Sequence, residues 1–252
     1  CKIYLMPHQL NTIMRCNQEK NCRYMLADEV GMGKTIEASA VLKLFLLKNS
    51  RKSIAIVVPD ALKEQWRVEL FLKFDIAQGT DVNSNTVNLL SFSDYVTGQD
   101  LVNYDFVVID EVHRLLNDAE YERYHTLSQR ADNILLLSAT PLQRRTSDYL
   151  NLLRLLDPKK YDDYSDKEFA ELVALQSKII TQIMGVIDDV DDLQDEINEH
   201  EEDEAYVRAD KKCLDLFDDI IDGLEAVSEL INDEAYNKLI SDISSEDENL
   251  GI

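Results

Sequence analysis

Five short apolar runs, separated by helical patterns, restrict this chain to few folds. Four of these runs contain at least four consecutive apolar residues instead of alternating with polar ones, which is typical of a strand buried on both faces of a sheet. The runs cover residues 24–27, 53–59, 86–92, 105–111 and 133–138. Helical patterns occupy residues 36–47, 61–74 and 146–156. Together they predict an α/β fold, a parallel sheet with helices on both faces.

Charge divides the chain into two parts. Residues 1–160 carry 20 Lys or Arg and 20 Asp or Glu, so their net charge is zero. Residues 161–252 carry 6 basic and 29 acidic side chains, which accounts for the whole net charge of −23. This change in composition predicts one domain over residues 1–160 and an acidic appendage over residues 161–252.

The acidic part shows only helical periodicity. A capping box at Ser165 precedes apolar residues that recur at three- and four-residue steps over 169–187. A second pattern of this kind covers residues 214–231, and a shorter one covers 236–243. We therefore expect an all-α appendage of three or four helices, with an acidic link around residues 188–204.

Composition argues against several classes of function. The acidic charge of the appendage would repel phosphates, so that part is not expected to grip nucleic acid. The four cysteines form no Cys-x-x-Cys pair and fit free thiols in a reducing, cytoplasmic compartment. Neither a signal sequence nor an apolar run of about 18 residues is evident, so we expect no membrane contact. Because the chain does not begin with Met, we expect a fragment of a longer protein.

A glycine-containing turn joins the first apolar run to the first helical pattern. Gly31 and Gly33 allow backbone angles that a Cβ would forbid, so successive N–H groups can surround a phosphate. Lys34 supplies a positive charge, and the Thr35 hydroxyl is suited to bind Mg²⁺. The strict phosphate-loop pattern has Gly where this chain has Asp28, so the alternative is a helix that begins Gly-Lys-Thr by chance. The predicted nucleotide-binding segment consists of Asp28, Glu29, Val30, Gly31, Met32, Gly33, Lys34 and Thr35.

Two acidic residues, Asp110 and Glu111, end the fourth apolar run. One carboxylate there can hold Mg²⁺, directly or through water, while the other accepts a proton from an attacking water. The alternative is that the pair only marks the solvated end of a strand. His113 would allow a metal site with this pair, although no further ligand cluster supports one.

Ligands of parallel sheets bind at the carboxyl ends of the strands. The glycine turn, the acidic pair and the segment 138–140 all fall at such ends. We therefore predict one site for a phosphate-bearing ligand and Mg²⁺. Its expected catalytic residues are Lys34, Asp110 and Glu111, and its expected metal ligands are Thr35 and Asp110. Trp66 is interpreted as a core anchor of its helix instead of a base-stacking residue.

Together these segments resemble the helicase motifs of the superfamily-two DNA translocases. The resemblance is closest to Swi/Snf-type remodelling ATPases of the bacterial, RNA-polymerase-associated kind. It covers about residues 3–161 and accounts for Asp28, because that group favours Asp-Glu-Val-Gly in its phosphate loop. The segments that carry it are LMPHQL, LADEVGMGKTIEA, IVVPDALKEQWRVEL, FVVIDEVHRL and LLLSATPLQ.

The resemblance implies a RecA-like motor lobe that uses ATP and Mg²⁺, with adenine contacted by Gln9. It implies phosphate, Mg²⁺ and water roles for Lys34, Thr35, Asp110 and Glu111. The residues implied in coupling hydrolysis to movement are His113, Ser138, Ala139 and Thr140. Contacts to DNA would come from loops near Lys63, residues 91–93 and residues 140–145.

Members of this group track along double-stranded DNA with two motor lobes, and the second lobe supplies an arginine finger. The resemblance thus implies double-stranded DNA or a protein–DNA complex as partner, together with a second lobe of the same polypeptide. That lobe is absent here, since the only arginine after residue 157 is Arg208, in an acidic helical setting. An arginine finger contributes about 10³–10⁵-fold in turnover, so we expect this chain to bind ATP but hydrolyse it slowly.

The leading interpretation is an ATP-driven translocase in the cytoplasm, associated with the nucleoid. Two other functions are compatible with the sequence. One is a nucleotide-dependent switch or interaction module whose acidic helices bind a basic protein partner. It would bind ATP without stimulation by DNA. The other is a remodeller of protein–nucleic-acid complexes whose acidic part imitates nucleic acid. A simpler explanation of the acidic charge is that it keeps a helical spacer soluble.

Overall fold

The computed structural model describes residues 6–18, 20–27, 31–97, 103–116, 119–139, 146–199 and 211–231. Contacts between Cα atoms divide the chain into two compact units, Cys1–Asp163 and Tyr164–Ile252. Each unit is described by itself.

The first unit is built on one six-stranded sheet. Its strands are β1 (Arg23–Leu26), β2 (Ser53–Val58), β3 (Gly79–Thr80), β4 (Thr86–Ser91), β5 (Phe106–Ile109) and β6 (Asn133–Leu137). They lie in the order β1-β6-β5-β2-β4-β3, and every pair is parallel except β3 with β4. This confirms the predicted fold class. The two-residue strand β3 was not predicted, because it is too short to carry a periodic pattern.

Seven helices surround the sheet in the described part of this unit. They are α1 (Pro7–Gln18), α2 (Lys34–Lys48), α3 (Lys63–Phe74), α4 (Phe92–Thr97), α5 (Tyr121–Arg130), α6 (Thr146–Leu156) and α7 (Pro158–Tyr161). Short 3-10 turns precede α3 at Asp60–Leu62 and follow β5 at Val112–Arg114. The helical patterns over 36–47, 61–74 and 146–156 correspond to α2, α3 and α6. The sequence did not reveal α5, since only Tyr124, Leu127 and Ser128 in it are buried.

Both faces of the sheet are covered, as continuous apolar strands require. Successive side chains of β2 point to opposite faces, so Ile54, Ile56 and Val58 join one buried cluster. Ala55 and Val57 join the other. The first cluster includes α2 and α3 residues, and the second includes α5 and α6 residues. The two layers together hold the central strands rigidly in place.

Arg23 ties β1 to two helix ends near the amino edge of the sheet. Its guanidinium donates to the carbonyl oxygens of Ala131, Leu155 and Leu156 and to the hydroxyl of Ser128. Burial lowers the pKa of Arg23, while the charges of Asp157 and Asp132 raise it. Five N–H donors in a planar fork can satisfy several carbonyl groups at once, which a lysine cannot do.

The second unit contains a helical hairpin of α8 (Asp166–Glu199) and α9 (Lys211–Ile231), which pack against each other. The capping box before α8 is confirmed, because Ser165 N donates to Glu168 Oε2 and Glu168 N donates to Ser165 Oγ. The acidic link predicted around residues 188–204 is wrong for 188–199, where α8 continues. Acidic side chains on the solvent side of a helix do not interrupt its backbone hydrogen bonds. The third predicted pattern, over 236–243, lies outside the described residues.

Apolar side chains remain exposed on both helices of the hairpin. They are Ile180, Ile183, Met184, Ile187 and Val190 on α8 and Phe217, Ile221, Leu224 and Ile231 on α9. Within α8, a stretch of 18 residues inside Asp166–Asp195 has a mean hydropathy of 1.3, so the helix could span a membrane by length and composition alone. Such a helix was not expected from the sequence. A single helix of this kind is weak support for a membrane-spanning segment. That the protein does not contact a membrane therefore stays a prediction.

Candidate nucleotide-binding site

Three strand ends meet at one edge of the sheet. Leu26 at the end of β1 pairs with Leu137 of β6, and Ile109 at the end of β5 pairs with Leu136. In addition, Ser138 N donates to Leu26 O across the edge. The glycine turn, the acidic pair and Ser138 therefore leave the sheet side by side, as predicted from the parallel pattern. Asp28, Glu29, Val30 and Thr140 lie outside the described residues.

The glycine turn has the backbone shape that its sequence predicts. Gly31 and Gly33 have φ values of 89° and 94°, in the left-handed region that side chains with a Cβ rarely adopt. Gly33 directly precedes α2, and its carbonyl accepts from the N–H groups of Ile36 and Glu37. Lys34 and Thr35 thus occupy the first turn of α2, where the positive end of the helix dipole favours an anion.

Gln9 is held against this turn by α1. Its Oε1 accepts from Met6 N and its Nε2 donates to Met32 O, both at 3.0 Å. A Cβ on Gly33 would lie 2.5 Å from Gln9 Nε2, so the amide can take this position only beside a glycine. The two contacts leave one N–H and one oxygen lone pair of the amide for another partner.

Asp110 is almost buried, at 8% relative exposure, directly after β5. Burial raises its pKa, and the negative charge of Glu111 raises it further. A hydrogen bond from Trp66, one from the backbone of Glu111 and the charge of Lys34 all lower that pKa. Lys34 is therefore close enough to influence the Asp110 carboxylate, which agrees with the convergence of the strand ends.

Trp66 on α3 donates its indole N–H to Asp110 Oδ2 at 2.8 Å. Trp66 is 1% exposed, and with Leu70 and Phe74 it forms the buried face of α3. The prediction that Trp66 anchors the core is confirmed, whereas its contact with Asp110 was not predicted. The two residues are 44 positions apart, and only the packing of α3 against the sheet brings them together.

Glu111 and His113 continue from Asp110 in a tight turn. Glu111 has a φ of 51°, which is uncommon for a residue with a side chain and concentrates at functional sites. His113 Nδ1 lies 3.1 Å from Glu111 Oε2 and 3.1 Å from Ser138 Oγ. Ser138 itself is fully buried. The turn after β5 is thereby joined to the end of β6.

The residues that could hold Mg²⁺ are Thr35 and Asp110. Mg²⁺ in nucleotide sites binds through one or two carboxylates or hydroxyls, with phosphate oxygens and water completing the octahedron. This donor set fits a hydroxyl at the start of α2 and a carboxylate after β5. Within the described ranges no group of three or more His, Cys, Asp or Glu forms a self-contained metal site. The alternative of a metal site from Asp110, Glu111 and His113 therefore has no structural support.

The predicted DNA-facing loops are only partly described. Lys63 at the start of α3 forms an ion pair of 2.6 Å with Asp94, which follows β4. The Lys63 contact and hydrogen bonds from Ser91 lower the pKa of Asp94 to about 2. Ser91 and Ser93 also lower the pKa of Asp60 by hydrogen bonds. The segment 140–145, with its two arginines, lies outside the described residues.

Comparison with known proteins agrees with this architecture. The family model described as "SNF2-related domain" matches residues 7–75 and 67–204. RNA polymerase-associated protein RapA of Pectobacterium carotovorum is 34% identical, over 64% of this chain and 19% of its own length. RapA of Klebsiella pneumoniae is 36% identical with the same two coverages. This chain thus spans about a fifth of the length of these relatives.

A solved structure shares the fold of the first unit. The Sulfolobus solfataricus SWI2/SNF2 ATPase core in complex with dsDNA matches with a TM-score of 0.56 and 20% sequence identity. The match covers 68% of this chain and 39% of that one. At 20% identity, the likeness to this structure shows only that the fold is shared. The family model, in contrast, matches more than half of the sequence and therefore shows the family. On the strength of that model and of the relatives, the chain belongs to the family of SNF2-related domains.

Proposed function

We propose that this chain contains the ATP-binding motor lobe of an ATP-dependent, DNA-translocating remodelling ATPase. In this proposal residues 1–160 form the RecA-like lobe and residues 161–252 form an acidic helical appendage. A second lobe of the same polypeptide completes the ATPase site. Because the chain spans about a fifth of its relatives, the activity of the whole protein is part of the proposal.

One observation carries the proposal: the glycine turn, the acidic pair with its buried Asp110, and the buried Ser138 leave adjacent parallel strands at the same edge. Leu26 of β1 pairs with Leu137 of β6, and Ile109 of β5 pairs with Leu136, so the segments that follow these strands are neighbours. Ligands of open parallel sheets bind at such an edge. The DNA part of the proposal draws on the likeness to an ATPase core solved with double-stranded DNA.

Each residue at this edge has a role in the proposal. Lys34 binds the outer phosphates, and the first turn of α2 adds its dipole. Thr35 and Asp110 hold Mg²⁺, which when bound offsets the negative charge that develops on the phosphates. Glu111 orients the attacking water and accepts its proton.

Gln9 is proposed to recognise the base. Its amide keeps one N–H and one oxygen lone pair after its contacts with Met6 and Met32. That pair matches the N7 acceptor and N6 donor on one edge of adenine. His113, Ser138, Ala139 and Thr140 are proposed to relay the state of the phosphates to the DNA-facing loops. We place the protein in the cytoplasm, associated with the nucleoid.

The test is ATP turnover by the full-length protein, with and without duplex DNA. We expect DNA to stimulate turnover, and we expect both Lys34→Ala and Glu111→Gln to abolish the stimulated activity. Glu111→Gln should still bind ATP, because the phosphate loop and Asp110 are intact. Lys34→Ala should bind it weakly. Unchanged DNA-stimulated turnover in Glu111→Gln would refute the proposal.

The 252-residue chain alone should bind ATP with Mg²⁺ and hydrolyse it slowly. The missing arginine finger is worth about 10³–10⁵-fold in turnover. Turnover of this chain at about 1–100 s⁻¹, the range typical of kinases, would contradict the proposed need for a second lobe.

A second candidate is a nucleotide-dependent interaction module whose acidic helices bind a basic protein partner. The apolar side chains exposed on α8 and α9, among many acidic ones, favour it. Such a protein would bind ATP, but DNA would leave its turnover unchanged even at full length. The comparison of turnover with and without DNA therefore separates the two candidates.

A further inference from the structure

We propose that Trp66 is a positioning residue for Asp110: its indole N–H sets the orientation in which that carboxylate binds the Mg²⁺ of the nucleotide. This inference rests on the proposed function of the site. The starting observation is the hydrogen bond of 2.8 Å from Trp66 Nε1 to Asp110 Oδ2, between two buried side chains.

The carboxylate is held at both oxygens. Trp66 donates to Oδ2, while Glu111 N donates to Oδ1 at 2.9 Å. The terminal torsion of an aspartate is broad and only two-fold, so one donor alone leaves the plane of the carboxylate poorly defined. Two donors from different elements define that plane. Each oxygen keeps a second lone pair, so the carboxylate can still bind a cation.

The donor is itself held in place by packing. Trp66, Leu70 and Phe74 are spaced four residues apart on α3 and are all buried. An indole in such a layer has little freedom to rotate, because protein cores are packed as densely as organic crystals. Hydrogen-bond donors that contact a metal ligand orient that ligand and thereby tune the metal site. The loss of one such donor typically lowers the metal affinity about 10–100-fold.

The competing explanation is that a core tryptophan has merely found an acceptor for its N–H, as buried tryptophans usually do. The two explanations differ in what a substitution would change. A purely structural contact affects the stability of the lobe. A positioning contact affects the Mg²⁺ dependence of nucleotide binding.

The first experiment uses Trp66→Phe, which removes the N–H and keeps an aromatic ring in the core. Binding of a fluorescently labelled ATP analogue to the 252-residue chain is followed by anisotropy as Mg²⁺ is titrated. We expect Trp66→Phe to raise the Mg²⁺ concentration at half-saturation about 10-fold. Binding of the analogue in EDTA should be unchanged, because the phosphate loop is untouched.

The matched control is Phe74→Leu, which disturbs the same buried face of α3 two helical turns from Trp66. We expect Phe74→Leu to lower the melting temperature and leave the Mg²⁺ dependence as in the wild type. A wild-type Mg²⁺ dependence in Trp66→Phe would overturn the inference. An equal shift in Phe74→Leu would also overturn it, because the effect would then come from packing.

A second measurement needs no change to the tryptophan. Trp66 is the only tryptophan in the chain, so an ¹⁵N spectrum contains one indole N–H signal. We expect this signal to move in Asp110→Ala without any ligand, and to shift in the wild type as Mg²⁺ and the ATP analogue are added together. An indole N–H signal at the same position in Asp110→Ala as in the wild type would refute the inference. A wild-type chain that fails to bind the analogue at all would instead refute the proposed function.

Discussion

His113 Nδ1 lies 3.1 Å from the hydroxyl of Ser138 and 3.1 Å from the carboxylate of Glu111. One ring nitrogen thus contacts side chains that follow two neighbouring strands, β5 and β6. The imidazole therefore connects Glu111, the proposed base, with Ser138, which precedes a proposed DNA-facing loop.

The Ser138 contact can be removed without touching the phosphate loop. We expect Ser138→Ala in the full-length protein to reduce DNA-stimulated turnover about 5-fold, since one hydrogen bond contributes about 1 kcal/mol. The affinity for ATP should be unchanged. ATP titrations of turnover with saturating duplex DNA would measure both. Ser177→Ala, on the exposed part of α8, is the control, and a selective loss of ATP affinity in Ser138→Ala would contradict the coupling role.

The two glycines of the phosphate loop should respond differently to a methyl group. Gly31 and Gly33 both have left-handed backbones, but only Gly33 faces Gln9 Nε2, at 2.5 Å from an added Cβ. Gly31→Ala should weaken ATP binding moderately through backbone strain of about 1 kcal/mol. Gly33→Ala should weaken it more, because Gln9 is also displaced. Calorimetric ATP binding by both variants would check this order, and equal losses would show that the contact with Gln9 is unimportant.

Replacing Arg23 should lower the free energy of unfolding of the first unit strongly. Arg23→Met leaves the carbonyl groups of Ala131, Leu155 and Leu156 without their charged donor. We expect a loss of about 2–4 kcal/mol in the free energy of unfolding, measured by urea denaturation. Arg67→Met removes an exposed ion pair with Glu64 and should cost less than about 1 kcal/mol. Similar losses in both variants would refute this account.

The helical hairpin offers a matched pair of glycines. A Cβ on Gly223 would lie 2.5 Å from Val186 Cγ2, whereas a Cβ on Gly185 would meet nothing within 4 Å. Gly185→Ala should therefore stabilise α8 by about 0.5–1 kcal/mol through the helix propensity of alanine. Gly223→Ala should destabilise the hairpin, because a valine in a helix has little rotamer freedom and the helices must separate. Thermal unfolding followed by circular dichroism would test whether the melting temperature rises in Gly185→Ala and falls in Gly223→Ala.

Much of the first unit could be predicted from local patterns. Apolar runs identified every parallel strand, although the run of β4 contains polar residues, and the parallel arrangement then placed Gly33, Asp110 and Ser138 at one edge. Helix α5 was missed because most of its residues are polar and only three are buried. The predicted acidic link was wrong over 188–199, because acidic composition alone does not end a helix that has an apolar face and a good cap.

The sequence by itself determined the fold class, the glycine turn and the edge of the sheet on which the candidate site lies. Those properties follow from local chemistry: glycines that permit left-handed backbone, and strands apolar enough to be buried on both faces. Only the tertiary structure decided that Trp66 holds Asp110, that His113 joins Glu111 to Ser138, and that Gln9 rests on Met32. The reason is physical, because these partners are up to 44 residues apart and meet only where strand order and helix packing bring them within hydrogen-bonding distance.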